Sequence, residues 1–169
     1  MKTKQVELRD FEELHKLIGM ALWHSQAFED TLCRFIALIL KLPPSRAETE
    51  MMEVLESLET KTLGALIAEL RKANSSNSVS EFEQRMNRYL TDRNWLVHKS
   101  WREHHTDLFN PSALPALFSR LRSIAEESRL LQRYFVELTT AWTLQQPGIT
   151  MELIRQAQKE QLRQRGVIA

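Results

Sequence analysis

Two apolar seams with a strict alternation of three and four residues constrain this chain more than anything else in it. The first runs through Phe11, Leu14, Ile18, Ala21, Ser25, Phe28, Leu32, Phe35 and Ile39, the second through Leu114, Leu117, Leu121, Ile124, Ser128, Leu131, Phe135, Leu138 and Trp142. At 100° per residue these positions fall on one stripe, so each seam predicts one long helix, from about Val6 to Lys41 and from about Ser112 to Gln145. At ~1.5 Å per residue each helix is on the order of 50 Å long. Two such helices, antiparallel and closed by shorter ones, make an all-α up-and-down bundle with long first and fifth helices the most economical fold. With 4 Gly and 5 Pro in 169 residues, turns are few and strand patterns are absent, so residues 1–169 read as one domain.

Between the seams the boundaries are marked by caps and breakers. Pro43-Pro44 ends the first helix, which Gly19 is placed to kink, and Ser45 with Glu48 forms a capping box for a second helix carrying Met51, Met52, Val54, Leu55 and Leu58. A break near Glu59 to Thr62 precedes a third apolar stretch, Leu63, Leu66, Ile67 and Leu70, and then a loop, Asn74 to Ser78. Ser80 with Glu83 opens a fourth helix to about Trp101 or Arg102, Glu103 to Asp107 reads as a loop, and Asn110-Pro111 introduces the fifth helix. Pro147-Gly148 stops it, and a last helix, about 150–164, has only the thin stripe Met151, Ile154 and Ala157, which fits a peripheral position or a partner subunit.

Several function classes are disfavoured. A formal net charge of +1 gives no global signature of nucleic-acid binding, so any RNA contact must come from a local site. The single cysteine, Cys33, excludes an internal disulfide framework, and its apolar helical setting fits core packing in a reducing, cytoplasmic compartment. The polar segment Met1 to Asp10 lacks the apolar stretch of a signal peptide, and the longest apolar run, Phe35 to Leu40, is far too short to span a membrane. His104 and His105, with Glu103 and Asp107, do not have zinc-like spacing, so no metal and no other cofactor is expected.

The chemistry concentrates in Arg93-Asn94-Trp95-Leu96-Val97-His98. On a helical projection Phe82, Met86, Tyr89, Leu90, Leu96, Val97 and Trp101 share one face with Arg93 near its centre, while Trp95 lies opposite, where a second subunit would cover it. A cation among apolar residues requires a carboxylate partner or a functional role, since burying it alone costs several kcal/mol. Glu12, Glu13, Glu29 and Asp30 on the first helix are candidate partners for a purely structural ion pair. In the functional reading Asn94 and His98 point the same way beside Asn87 and Thr91, and Arg93 curls into the same cleft. Guanidinium, amide and imidazole together suit phosphoryl chemistry without a metal. Lys99 and Arg102 are placed to contact flanking phosphates.

Arg93-Asn94-x-x-x-His98 resembles the Arg-polar-x-x-x-His signature of the HEPN superfamily, all-helical bundles that include metal-independent endoribonucleases. The setting is similar as well, late in a middle helix that is followed by a loop and a long C-terminal helix. The resemblance implies RNA as substrate, a homodimer with two motifs facing one cleft, and Arg93, Asn94 and His98 as catalytic residues in 2′-hydroxyl attack. Defence or stress response is the implied setting. It also leaves open a non-catalytic module that binds a nucleotide or a protein partner. Toxins of the HEPN and MNT pairs usually carry a tyrosine two residues after the histidine; here that position is Ser100, which points away from that subfamily.

Overall fold

In the computed structural model, which describes residues 6–41, 48–73, 81–164 and 166, the chain is an all-α bundle with no strand among those residues. Its elements are α1 (Leu8–Phe35), a π-helical extension (Ile36–Lys41), α2 (Glu48–Glu59), α3 (Leu63–Ala73), α4 (Glu81–His98), α5 (Ser100–His104), a 3-10 turn (Asp107–Phe109), α6 (Leu114–Leu144) and α7 (Met151–Gln164). Both long helices form where the seams place them, and no bend is needed at Gly19, which lies inside uninterrupted α1. The proline stop at Pro43-Pro44, the cap at Ser45, the loop Asn74 to Ser78 and the cap at Ser80 lie outside the described residues.

The seams of α1 and α6 meet along their length. At one end Phe28, Leu32, Ile36, Leu131 and Phe135 pack with Leu58 of α2, Leu63, Leu66 and Ile67 of α3, and Met86 and Tyr89 of α4. At the other, Leu14, Leu17 and Ala21 pack with Leu117, Leu121 and Ile124 around Trp95 and Leu96 of α4. Between the two apolar clusters lies a polar layer. The buried Tyr89 hydroxyl donates to Ser25 Oγ at 3.0 Å, Ser25 and Ser128 lie 3.3 Å apart, and Ser128 donates to the Ile124 carbonyl at 2.7 Å. Donating in that order, the three hydroxyls satisfy one another, which explains two serines in otherwise apolar seams and fixes the register of α1, α4 and α6. Burial raises the Tyr89 phenol above its usual range and keeps it a donor.

Two sequence expectations fail on α4. Trp95 is only 4% exposed, enclosed within one chain, so it does not call for a covering subunit. Val97 and Trp101, expected in the core, are 44% and 74% exposed. The cause lies in what surrounds the helix. Gly64, at the start of α3, lies beside Leu90, and α3 runs from there back toward Phe82, so the cluster around Trp95 contains no α3 residue. The buried side of α4 therefore rotates away from α3 as the helix proceeds. The helix is interrupted at Lys99 (φ −123°, ψ −26°), and α5 begins at Ser100. The last helix, α7, is exposed along most of its length, as a peripheral element would be. Among the described residues no helix is long and apolar enough to cross a membrane.

Candidate functional site

The segment predicted to carry the chemistry lines an open groove of about 780 Å³ between the end of α4 and the start of α3. Glu29 of α1, Lys61 and Thr62 of the α2–α3 turn, Leu63 and Gly64 of α3, and Leu90, Arg93, Asn94, Val97, His98 and Lys99 form its walls. Arg93, Asn94 and His98 are thus brought together, with Lys99. Arg102 is not. It follows on α5, exposed and outside the groove.

Arg93 is not free in the groove. Its Nε donates to Glu29 Oε1 at 2.7 Å and its Nη2 to Glu29 Oε2 at 3.2 Å, a bidentate pair with the two side chains 23% and 22% exposed. Of the four carboxylates offered by the sequence, the packing of α1 against α4 selects Glu29. The fork geometry holds the guanidinium plane in one orientation and leaves Nη1 without a hydrogen bond among the described residues. Asn94 and His98 differ sharply from it. Both are exposed and make no hydrogen bond or ion pair among the described residues, so amide and imidazole are available to a ligand.

The opposite wall is fixed by an ion-pair clamp. Lys61 Nζ lies 2.9 Å and Lys41 Nζ 3.3 Å from the Glu69 carboxylate, tying the turn before α3 to the end of the π-helical segment. Hydrogen bonds from these two ammonium groups hold the Glu69 carboxyl below its ordinary value of 4.5. Lys61 and Thr62 carry no motif that marks them in the sequence. They reach the groove only because α3 packs against Leu90.

Charge pairing varies along the bundle. Along the bundle Arg34, Arg85, Arg120, Arg122, Arg129 and Arg133 each lie within ion-pair distance of a carboxylate. Lys99 and Arg102, like Arg88, hold none among the described residues.

Neighbouring residues take other roles than the sequence implies. Asn87 accepts from Arg71, and Thr91 donates to the Asn87 carbonyl, so neither joins the groove. Glu103 is not part of a solvated loop. It ends up in α5 and accepts from Trp95 Nε1 at 2.8 Å, while Arg120 stacks over the indole at 3.6 Å. His104 packs edge-on against the same indole and pairs through Nδ1 with Asp107 at 2.6 Å. These contacts enclose Trp95 and hold α5 against the bundle. Among the described residues no group of three or more His, Cys, Asp or Glu is placed to hold a metal ion. Cys33 is buried, and desolvation pushes its thiol up to about 11, which makes it a packing residue rather than a nucleophile.

No family model matches this chain, and neither a curated protein nor a solved structure matches it.

Proposed function

We propose that the groove is the active site of a HEPN-like, metal-independent endoribonuclease. The observation that carries this reading is the gathering, in one open groove, of an exposed imidazole and amide, unpartnered among the described residues, with a guanidinium held in fixed orientation. In the reaction His98 takes the proton from a ribose 2′-hydroxyl, O2′ bonds to the adjacent phosphorus, and the P–O5′ bond breaks. The leaving oxygen takes a proton from water, giving a 2′,3′-cyclic phosphate and a 5′-hydroxyl. General base action of this kind is worth ~10²- to 10⁴-fold. Arg93, tethered by Glu29, offers Nη1 to the developing phosphorane charge, Asn94 orients the phosphate or His98, and Lys99 holds a flanking phosphate. The homodimer implied by the resemblance belongs to the same proposal, with the two grooves brought together. A cytoplasmic role in defence or stress response belongs to it as well.

A second reading is favoured by the Glu29 pair itself. A bidentate, four-fifths-buried ion pair is what a purely structural arginine would make, and the chain would then be a helical interaction protein, or a module that binds nucleotide or protein without turnover. The test is cleavage of single-stranded RNA in excess EDTA. The proposal expects cleavage by the wild-type protein and a loss of at least about 100-fold in His98→Ala. Equal cleavage by His98→Ala, or none by the wild type, leaves the second reading.

A further inference from the structure

A second cavity, of about 170 Å³, opens between the start of α1, α5, the 3-10 turn and the start of α6. It shares no lining residue with the groove at Arg93–His98. Leu14, Leu117 and Leu121, buried in the core around Trp95, line it together with the half-buried Phe11, Ile18 and Leu108. The Trp101 indole forms a further wall and is 74% exposed, although a tryptophan side chain is among the most favourable to bury. The His105 ring lies against it at a centroid distance of 6.0 Å and a tilt of 35°. An apolar cavity of ~150 Å³ is large enough to take up one benzene ring, so this space fits a single six-membered aromatic ring and little more.

The polar groups of the lining narrow what such a ring can carry. His104 Nδ1 lies 2.6 Å from Asp107 Oδ2, and His105 Nδ1 lies 3.2 Å from the Arg102 carbonyl oxygen. Carboxylate and carbonyl oxygens only accept, so each Nδ1 holds the hydrogen, and in the neutral imidazole Nε2 is left as an acceptor. Ser100 donates its hydroxyl hydrogen to the Leu96 carbonyl at 2.6 Å and likewise has only lone pairs to offer. The lining contains no Lys, Arg, Asp or Glu, so an ionised ligand would lose its hydration without gaining a counter-charge. We infer that this cavity binds a small, neutral, hydroxyl-bearing aromatic molecule of the phenol class. Its ring lies between Trp101 and the leucines, and its O–H donates to His104 Nε2. His104 is the acceptor with a fixed position, held by Asp107 and packed edge-on against Trp95. A few convergent polar groups in a mainly apolar concavity are the usual composition of a small-molecule site. The inference goes beyond the ribonuclease reading and does not depend on it.

The experiment is a titration of the full chain with phenol, toluene and benzoate, followed by the indole N–H signals in two-dimensional NMR at about pH 8, above the ordinary imidazole range. The Trp101 signal is identified by its loss in Trp101→Ala. Phenol should shift that signal saturably, with a Kd of about 1 mM or tighter. Toluene, which fills the same space but has no donor, should bind about tenfold more weakly, and benzoate should not saturate. His104→Phe keeps a ring in place and removes Nε2, so it should bring phenol down to the affinity of toluene while toluene binds as before. His98→Ala, outside this cavity, should bind phenol as the wild type does. Absence of a saturable Trp101 shift with phenol overturns the inference. So does toluene or benzoate binding as tightly as phenol, or a preference for phenol over toluene that survives in His104→Phe. None of these outcomes bears on cleavage of RNA, so the two proposals stand or fall separately.

Discussion

The two halves of α4 lie in opposite circumstances although they belong to one helix. In the first half Met86 and Tyr89 are sealed, with Tyr89 edge-on to Phe28 at 5.2 Å and its hydroxyl tied into the Ser25–Ser128 layer. In the second half Asn94, Val97 and His98 face water, while Trp95 and Leu96 are the residues buried against the bundle. The difference follows from neighbours rather than from residue type. The first half is packed by α1, α3 and α6, whereas α3 begins at the level of Leu90 and leaves the rest uncovered on that side. Arg93 and Glu29 stand at the boundary, the last contact of the packed region and the first wall of the groove. An imidazole can thus be exposed on a helix whose position is set elsewhere, an arrangement that combines access with fixed geometry.

This contrast breaks most directly by truncation on each side. Phe28→Ala removes a side chain with no exposure at the centre of the packed half and should cost ~3–5 kcal/mol in denaturant unfolding. His98→Ala, in the open half, should change stability by no more than about 0.5 kcal/mol. A His98→Ala protein as unstable as Phe28→Ala would mean that the groove is packed in solution.

The boundary pair should give an intermediate effect. In a double-mutant cycle of Arg93→Ala with Glu29→Ala, the coupling should exceed about 1 kcal/mol, because each partner is largely withdrawn from water and the bond is bidentate. Coupling near zero would place the pair with ordinary surface contacts, and Arg93 would lose its fixed orientation.

The smallest effect should come from the clamp on the far wall. Glu69 is held below 4.5 in the folded chain by Lys61 and Lys41. Its contribution to stability is therefore complete above its unfolded value and is lost as pH falls through the lower, folded one. Glu69→Gln should therefore lower stability slightly at neutral pH and flatten the acid limb, the difference from wild type vanishing as pH falls below about 4.5. An acid limb identical in both proteins would show that the clamp does not hold the wall.

The long helices were legible because their information is local. The three–four alternation of each seam needs no knowledge of the partner, and even Ser25 and Ser128 kept their places in it. The group Arg93, Asn94 and His98 was legible for the same reason, being set by helical spacing. What could not be read depended on which elements pack together. A single helical projection puts Trp95 opposite the core stripe because it assumes one core side along α4, whereas the covering set changes beside Arg93. Trp101 and Arg102 were placed by extending α4 through Lys99, a break with no glycine or proline to mark it. Glu29 was one of four equivalent carboxylates until the docking of α1 on α4 chose it. Lys61 and Thr62 had no signal at all.

If the groove at Arg93–His98 cleaves RNA through the neighbouring 2′-hydroxyl without a metal, as proposed, the chemistry is written in the ends of the products. Analysis of product ends tests it most directly, using one RNA and the same RNA with a single 2′-deoxy substitution at the cleaved nucleotide, in excess EDTA. The wild-type protein should give 2′,3′-cyclic phosphate and 5′-hydroxyl ends and no cut at the 2′-deoxy position, and His98→Ala should lose both products. Cleavage at the 2′-deoxy position, or the same ends from His98→Ala, would contradict it.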